Sequence, residues 1–384
     1  MSKYDELREK CESDLFSFAQ AMFPNRYFGD LHSQMFTFWS NKERTRDQLT
    51  LVPRDHQKSV CMAIYVAWEI TKDPTRTFAY VTGVSDLAQR QTRFIKEMLE
   101  SDIYRILWPD MLNWVKDAEG RMKHVPLYKW NENEFEVYHP KRRESGDKNP
   151  TVKATSVGSS NTGFHFTDLV FDDLVTEKNF DTEAGRKEVE STYAAFSSIA
   201  STGSLINVVG TRYHPKDIYQ TMMDEAREVY DAEDNFIGTE KNYEVFLRVV
   251  ETEGVFVWPS KTIPELCKTY GFNWNELARK KSKYKSAGRM EQYYAQYYNQ
   301  PNDPEMHKLS RDQFQYFNEA LLKFKDSKWN YKGRVLNTFA AMDVAYTDGK
   351  DSDYTAIVVI GMDCEGYIYV LDLDRFKTNK FNIY

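Results

Sequence analysis

The sequence predicts an α/β protein, with a mostly parallel sheet flanked by helices and then an antiparallel run of strands. From about residue 46, apolar strand-like runs alternate with helical patterns, the signature of a parallel layered fold. From about residue 334 the pattern changes. Three alternating segments, 335–346, 354–361 and 366–373, follow one another across acidic and Gly-containing turns, which reads as a β-meander. The chain has 384 residues, room for about two domains at the usual ~100–200 residues each.

Residues 1–45 read as an aromatic, largely helical N-terminal segment broken at Pro24-Asn25-Arg26. Gln48 to Pro53 is predicted as a strand and Ser59 to Ile70 as a helix, with Ala63, Ile64, Ala67 and Trp68 on one face. Thr77 to Thr82 is a second strand, followed by a helix from Asp86 to about Leu99. Residues 101–150, rich in Trp, Pro and Lys/Arg, read as an irregular insertion. Short strands recur at 151–157, 168–172 and 205–210. Four regions follow: an N-terminal helical segment at 1–45, an α/β domain at 46–260, a linker or helical region at 261–333, and the meander at 334–384.

Hydrophobic residues make up 41% and charged residues 28%, which fits a chain able to bury a core. No apolar run reaches 18 residues, so no membrane-spanning helix and no membrane partner are expected. The charged start, MSKYDELREKCESD, lacks the apolar stretch of a signal peptide. Four scattered cysteines lack the spacing of a zinc site or disulfide framework, so a reducing, intracellular setting is the default. The net charge of −7 argues against a protein that coats nucleic acid, but not against one that grips it transiently.

Three strand ends carry candidate chemistry. Leu49 to Ser59 reads as a strand, a tight loop (Pro53-Arg54-Asp55-His56-Gln57) and then Lys58-Ser59 opening a helix. A phosphate-binding loop needs this context: backbone N–H groups and a helix N-terminus face the phosphates, Lys neutralises charge, and Ser holds Mg²⁺. Val52 and Gln57 stand where the strict pattern has glycine. The second strand, Asp168 to Asp172, ends in Asp172-Asp173; one carboxylate there can organise Mg²⁺ and its neighbour can orient a water. A solvated acidic turn would look the same. The third strand ends in Gly210-Thr211-Arg212, whose hydroxyl and guanidinium can sense a γ-phosphate.

Together these blocks resemble the large terminase subunit of tailed bacteriophages. The loop Pro53–Ser59 is similar to that family's deviant Walker A motif, commonly Pro-Arg-Gly-x-x-Lys-Ser. Ser160-Asn161-Thr162-Gly163 and Gly-Thr-Arg-Tyr-His-Pro at 210–215 resemble its following blocks. The resemblance runs from about residue 30 to the end. It implies an ASCE-type P-loop ATPase binding ATP and Mg²⁺, with Lys58 and Ser59 on the phosphates and metal and Arg54 as the loop arginine. It also implies Asp172 as the Mg²⁺-associated Walker B residue and Asp173 as the catalytic carboxylate, Glu177 being the alternative. Gly210, Thr211 and Arg212 would couple hydrolysis to movement, and His32-Ser33-Gln34 weakly resembles an adenine-contacting segment. A trans-acting arginine is implied for a ring motor, with Arg142, Arg143, Arg90 and Arg93 as candidates.

In the meander, Ala340 to Ala345 places Asp343 in the middle of an apolar strand, and Asp353 opens the next. A carboxylate there is costly unless paired or metal-bound. The segment resembles the first strands of the terminase RNase H-like nuclease domain, with Asp343 and Asp353 matching acidic positions that hold Mg²⁺ or Mn²⁺. Asp348, Asp351 and Asp363 read as acidic turns. The acidic set is incomplete, so these 384 residues by themselves are expected to lack nuclease activity.

Tyr284, Tyr293, Tyr294, Tyr297 and Tyr298, beside Arg279-Lys280-Lys281, could face DNA or pack against the core. Trp258-Pro259 is assigned no chemistry. The resemblance implies double-stranded DNA, a portal protein, a small terminase subunit and a homo-oligomeric ring as partners. Its setting would be the host cytoplasm, on the procapsid and not in the mature virion. The competing readings are a helicase-like ATPase and an assembly adaptor with a decayed nucleotide site.

Overall fold

The computed structural model describes residues 2–159, 163–301, 315–343 and 355–376. The chain divides into two compact units, 1–306 and 307–384.

The first unit opens with helices α1 (Lys3–Ser13), α2 (Leu15–Met22) and α3 (Asp30–Trp39). Strand β1 (Asp47–Leu51) leads into α4 (Lys58–Lys72), and β2 (Phe78–Thr82) into α5 (Ser85–Leu99). Then come β3 (Glu134–Phe135), β4 (Val152–Ser156), β5 (Phe166–Asp172), α6 (Glu183–Ser198), β6 (Ala200–Gly210), α7 (Ile218–Asp224) and β7 (Tyr243–Leu247). The unit closes on α8 (Trp274–Ser286) and α9 (Met290–Tyr298). The seven strands form one sheet in the order β7-β1-β6-β5-β2-β4-β3. All pairs are parallel except the short β3 edge.

Alternating side chains send the strands' apolar residues to opposite faces. Phe78, Tyr80, Val152, Val170 and Val209 join a core containing α4 and the N-terminal helices. Leu49, Leu51, Ala79, Val81, Leu169, Phe171 and Val208 join a second core beneath α6 and α7. The expected one-sided face of α4 is too narrow. Cys61 to Thr71 are all buried, as in a helix covered on every side. The cover is the 1–45 segment, which shares the α4 core instead of standing apart. Trp68 Nε1 donates to the Cys11 carbonyl at 2.8 Å, and Trp39 Nε1 donates to Thr50 Oγ1 at 2.8 Å.

The 101–150 region is more ordered than the sequence suggested. It supplies the edge strand β3, a small hairpin (Trp114–Lys116 with Met122–His124) and short helices at Asp102–Leu107 and Pro140–Ser145. Its packing rests on scattered aromatic contacts, Trp108 on Phe18 and Trp130 on Phe135, which carry no periodic signal.

In the second unit β8 (Leu322–Lys325), β9 (Lys328–Tyr331), β10 (Arg334–Asp343), β11 (Thr355–Met362) and β12 (Ile368–Phe376) form a five-stranded antiparallel meander in chain order. The three expected strands are thus joined by two earlier ones, so the meander begins before residue 334. Within 261–333, the helices α8 and α9 and a short hairpin (Lys261–Ile263 with Lys268–Tyr270) belong to the first unit, and β8 and β9 to the second.

Thr50→Val keeps the shape of β1 but leaves the buried Trp39 N–H without its acceptor. It should lower unfolding stability by about 1–3 kcal/mol. Urea unfolding checks this: the midpoint should fall at constant m-value, and an unchanged midpoint would remove the assigned role of the bond.

Candidate active site

Because β1, β2, β5 and β6 are parallel, their C-terminal ends share one edge. The register sets Leu51 against Gly210, Asp172 against Val209, and Thr82 against Asp172. The segments just beyond these ends therefore converge, as expected where an open α/β sheet binds ligands.

After Pro53 the β1–α4 loop takes left-handed backbone angles at two non-glycine residues, φ +66° at Asp55 and +58° at Gln57. Each such residue costs roughly 1–2 kcal/mol. Side chains hold both. Asp55 Oδ2 accepts from Lys280 Nζ of α8 at 2.8 Å. Gln57 Oε1 accepts from Arg26 Nη1 at 2.7 Å, and its Nε2 donates to the Tyr27 carbonyl at 3.2 Å. Between them His56 is buried, stacked on Phe272 at 4.9 Å between ring centres. Its Nδ1 lies 2.9 Å from the Arg54 carbonyl, which can only accept, so that nitrogen carries the proton. Burial pulls the His56 pKa down to about 4, and burial, with His56 nearby, pulls His32 down to about 3. Both imidazoles are neutral near pH 7.

Lys58 and Ser59 then open α4. Lys58 Nζ lies 3.1 Å from Asp173 Oδ2, and Ser59 Oγ donates to Asp172 Oδ1 at 2.8 Å. The other Asp172 oxygen accepts from the Tyr80 hydroxyl at 2.9 Å. Burial first, and the Asp173 charge second, push the Asp172 pKa up to about 7, against the pull of Lys58, Ser59 and Tyr80. Asp173 sits at φ +47°, and its buried Oδ1 has no partner among the described residues. Gly83 permits the close approach of this turn: a Cβ there would lie 2.9 Å from the Asp173 carbonyl and 2.8 Å from that of Leu174.

A cleft of about 720 Å³ opens here, lined by Arg54, Lys58, Ser59, Asp173, Glu177 and Thr211, among others. A second, of about 820 Å³, shares Asp55 and Gln57 with it and is lined by Arg26, Trp258, Tyr270, Phe272 and Asn275. Arg54 Nη1 is 3.0 Å from Gln296 Oε1 and 3.6 Å from Glu177 Oε1, which is exposed. Thr211 Oγ1 donates to the Val52 carbonyl at 3.3 Å. Arg212 behaves differently. It is buried, paired with Asp217 at 2.9 Å and bonded to the His214 and Pro215 carbonyls, so it fixes its own loop.

Several sequence candidates land elsewhere. Arg142 is buried and bound to the Thr75 and Asn149 carbonyls, which removes it as an arginine offered to a neighbour. Arg143 lies over the Tyr138 ring at 4.6 Å, and Arg93 pairs with Glu132 at 2.7 Å. Arg90 lines the first cleft of its own chain. His32 is interior, its Nδ1 accepting from the Gly29 N–H at 3.0 Å. Tyr293 and Tyr297 are buried with Val250, Phe272 and Leu277, so that part of the tyrosine run packs the core.

In the second unit Asp343 is the last described residue of β10 and is exposed. Asp353, Asp348 and Asp351, with Ser160 to Thr162, lie outside the described residues. Among the described residues no group of three or more His, Cys, Asp or Glu could hold a metal ion. Asp363 caps its turn, accepting from the Glu365 and Tyr367 N–H groups. Sequence reading missed Tyr80, Arg26 and Gln296, and placed Lys280 only in a basic run. All reach the site from distant segments, and only spatial proximity marks them.

One strand, β6, separates the phosphate-loop strand β1 from the carboxylate strand β5, and helices cover both faces. This is the architecture of the ASCE class of P-loop ATPases. Among solved structures, the chain is similar to the large terminase of bacteriophage HK97 (13% identity, TM-score 0.44), covering 91% of this chain and 63% of that one. It is similar to the ADP complex of the large terminase of the thermophilic bacteriophage D6E (14%, TM-score 0.39; 91% and 69%). It is also similar to the large terminase ATPase domain of Thermus phage P74-26 (10%, TM-score 0.38; 73% and 97%). The chain therefore spans less than two thirds of the HK97 protein. No family model and no curated protein matches the sequence.

The buried neutral imidazole of His56 makes the loop acid-sensitive. Its folded pKa is depressed, so its contribution is complete above about pH 6.5 and is lost as pH falls through that value towards about 4. The stability difference between wild type and His56→Phe should be flat above about pH 7 and move against wild type by up to about 3 kcal/mol near pH 4. Urea unfolding across this range checks it, and a pH-independent difference would count against it.

Proposed function

We propose that this chain is the ATP-hydrolysing motor subunit of a viral DNA-packaging machine of the large terminase type. The carrying observation is the pairing of Ser59 with Asp172 and of Lys58 with Asp173 across the ends of β1, α4 and β5. That donor set fits a magnesium–triphosphate. A helix N-terminus and a lysine face the cleft, a hydroxyl and a carboxylate already touch, and the buried Asp173 Oδ1 has no partner among the described residues.

ATP is the substrate, and Mg²⁺, when bound, offsets phosphate charge. Lys58 leaves Asp173 for the phosphates, and Ser59 with Asp172 would hold the metal. Tyr80 keeps the Asp172 carboxylate oriented by its hydrogen bond. The freed Asp173 carboxylate orients and deprotonates the attacking water. Glu177, exposed on the lip and beside Arg54, is the second candidate for that task. Arg54 stabilises charge on the terminal phosphate. The aromatic second cleft takes the nucleobase end.

Packaging of double-stranded DNA into a procapsid, a ring of copies, and portal and small-subunit partners rest on the sequence blocks at 53–59, 160–163 and 210–215. So does a metal-dependent nuclease role for Asp343 and Asp353. The helicase reading is disfavoured because the second unit's described strands form an antiparallel meander instead of a second parallel sheet. The decayed-site reading loses its motive, since the loop adopts left-handed angles without glycine.

Steady-state hydrolysis of MgATP, with and without duplex DNA, tests the proposal. Lys58→Ala, Asp172→Asn and Asp173→Asn should each lower kcat by about 100-fold or more, and Glu177→Gln by less than about 10-fold. A wild type that neither binds nor hydrolyses ATP would overturn the assignment. The reverse order of Asp173 and Glu177 would exchange their roles.

A further inference from the structure

Two small hairpins stand outside the seven-stranded sheet, one beside each of its edges. The first, Ala226–Tyr230 with Phe236–Lys241, joins α7 to the edge strand β7. Its base is fixed by Arg227 Nη2, which donates to the Thr45 carbonyl at 3.2 Å. The Asn242 N–H, which donates to the Glu225 carbonyl at 3.1 Å, fixes it too. The second, Trp114–Lys116 with Met122–His124, leans on the opposite edge. The ring centre of His124 lies 4.4 Å from that of Trp130, and Trp130 lies 5.0 Å from Phe135 of β3.

Both expose side chains that a solvated turn would keep small and polar. On the first, Tyr230, Phe236 and Ile237 are each more than half exposed, and the Tyr230 and Phe236 rings meet edge to face at 6.0 Å. On the second and the segment just after it, Val115, Met122, Val125, Leu127 and Tyr128 are exposed. A free two-stranded hairpin is marginal in water, and exposed apolar side chains rimmed by charge mark contact surfaces.

The spare charges of the two are opposite. Glu233 and Asp234 stand exposed at the tip of the first, in no ion pair among the described residues. Lys116 and Lys123 are exposed on the second and equally unpaired among the described residues, whereas Asp117 and Glu119 are held by Arg121. Lys123 lies across the hairpin from Val115, and Lys116 from Met122, so charge and apolar surface interleave. Six strand spacings of ~4.8 Å, roughly 29 Å, separate the two edges of the sheet, so the hairpins of one chain stand apart. Like charges disfavour a symmetric contact of either hairpin with itself. Opposite charges on opposite edges suit a head-to-tail contact instead.

We propose that these hairpins are the two halves of one heterologous contact between copies of this chain. The acidic, aromatic tip at 230–237 docks on the basic, apolar surface at 115–128 of the next copy. Glu233 and Asp234 meet Lys116 and Lys123, while Tyr230, Phe236 and Ile237 cover the apolar side chains between them. A contact of this kind repeats, closing into a ring or running on as a filament. None of these residues lines either cleft, and the contact does not rest on the ATPase reading.

Sedimentation velocity of the full chain, across a concentration series at low salt, reads the self-association. Glu233→Lys/Asp234→Lys and Lys116→Glu/Lys123→Glu should each raise the self-association Kd by about tenfold or more, because each sets like charges face to face. Mixed one to one, the two variants carry complementary charge at every contact and should assemble with each other about as tightly as wild type does with itself. A chain carrying all four substitutions should regain self-association. A monomeric wild type, unchanged association in either charge variant, a mixture that stays apart, or a four-substitution chain that stays monomeric would overturn the proposal.

Discussion

The site depends on a loop of L-residues held in a conformation that glycine normally supplies. Asp55 and Gln57 each take a left-handed backbone at a cost of roughly 1–2 kcal/mol, just before the lysine that lines the cleft. The compensation comes from Arg26 and Tyr27 before the sheet, from Lys280 on α8, and from Phe272 stacked against His56. The loop is therefore stable only while the N-terminal helices and the α8–α9 pair are in place. This gives a physical reason why residues 1–45 and the helices after 270 fold into one unit with the sheet.

A second constraint is electrostatic. Two adjacent carboxylates stand at the end of β5, Asp172 buried and Asp173 paired with Lys58. Two negative charges so close disfavour each other's ionisation, which is why burial and Asp173 together raise the Asp172 pKa. Ser59 and Tyr80 answer by donating one hydrogen bond to each Asp172 oxygen. The carboxylate is thereby held in a fixed orientation, with no ion pair of its own among the described residues.

Much of this was legible in the sequence, for a definite reason. Strands β1 and β5 and the 205–210 end of β6 are short, mainly apolar runs that stop at polar residues, so their ends, and the residues 54–59, 172–173 and 211, can be read directly. The helix α4 was harder. Its buried Cys61–Thr71 stretch mixes small, aromatic and polar side chains, and a one-sided pattern was read where cover on all sides exists. Arg142 looked like a free basic group because the carbonyls that bind it, Thr75 and Asn149, lie across a fold that periodicity does not reveal. Tyr80 was invisible because an inward tyrosine on an apolar strand looks like ordinary core. The meander was recognised, but β8 and β9 were absorbed into the preceding helical region.

Glycine in a phosphate-loop pattern stands for a backbone requirement, not for a chemical group. A sequence can meet the requirement with other residues if its tertiary contacts hold them, and here Gln57 does so while its amide bonds to both Arg26 and Tyr27. Such a loop is tied to its surroundings more tightly than a glycine loop, because the residues that set its angles also cross to neighbouring elements. The same logic divides Thr211 from Arg212. Thr211 faces the cleft and bonds back to Val52, while the Arg212 side chain locks onto Asp217 and its N–H meets Asn299. One side of that strand end touches the site and the other touches α9.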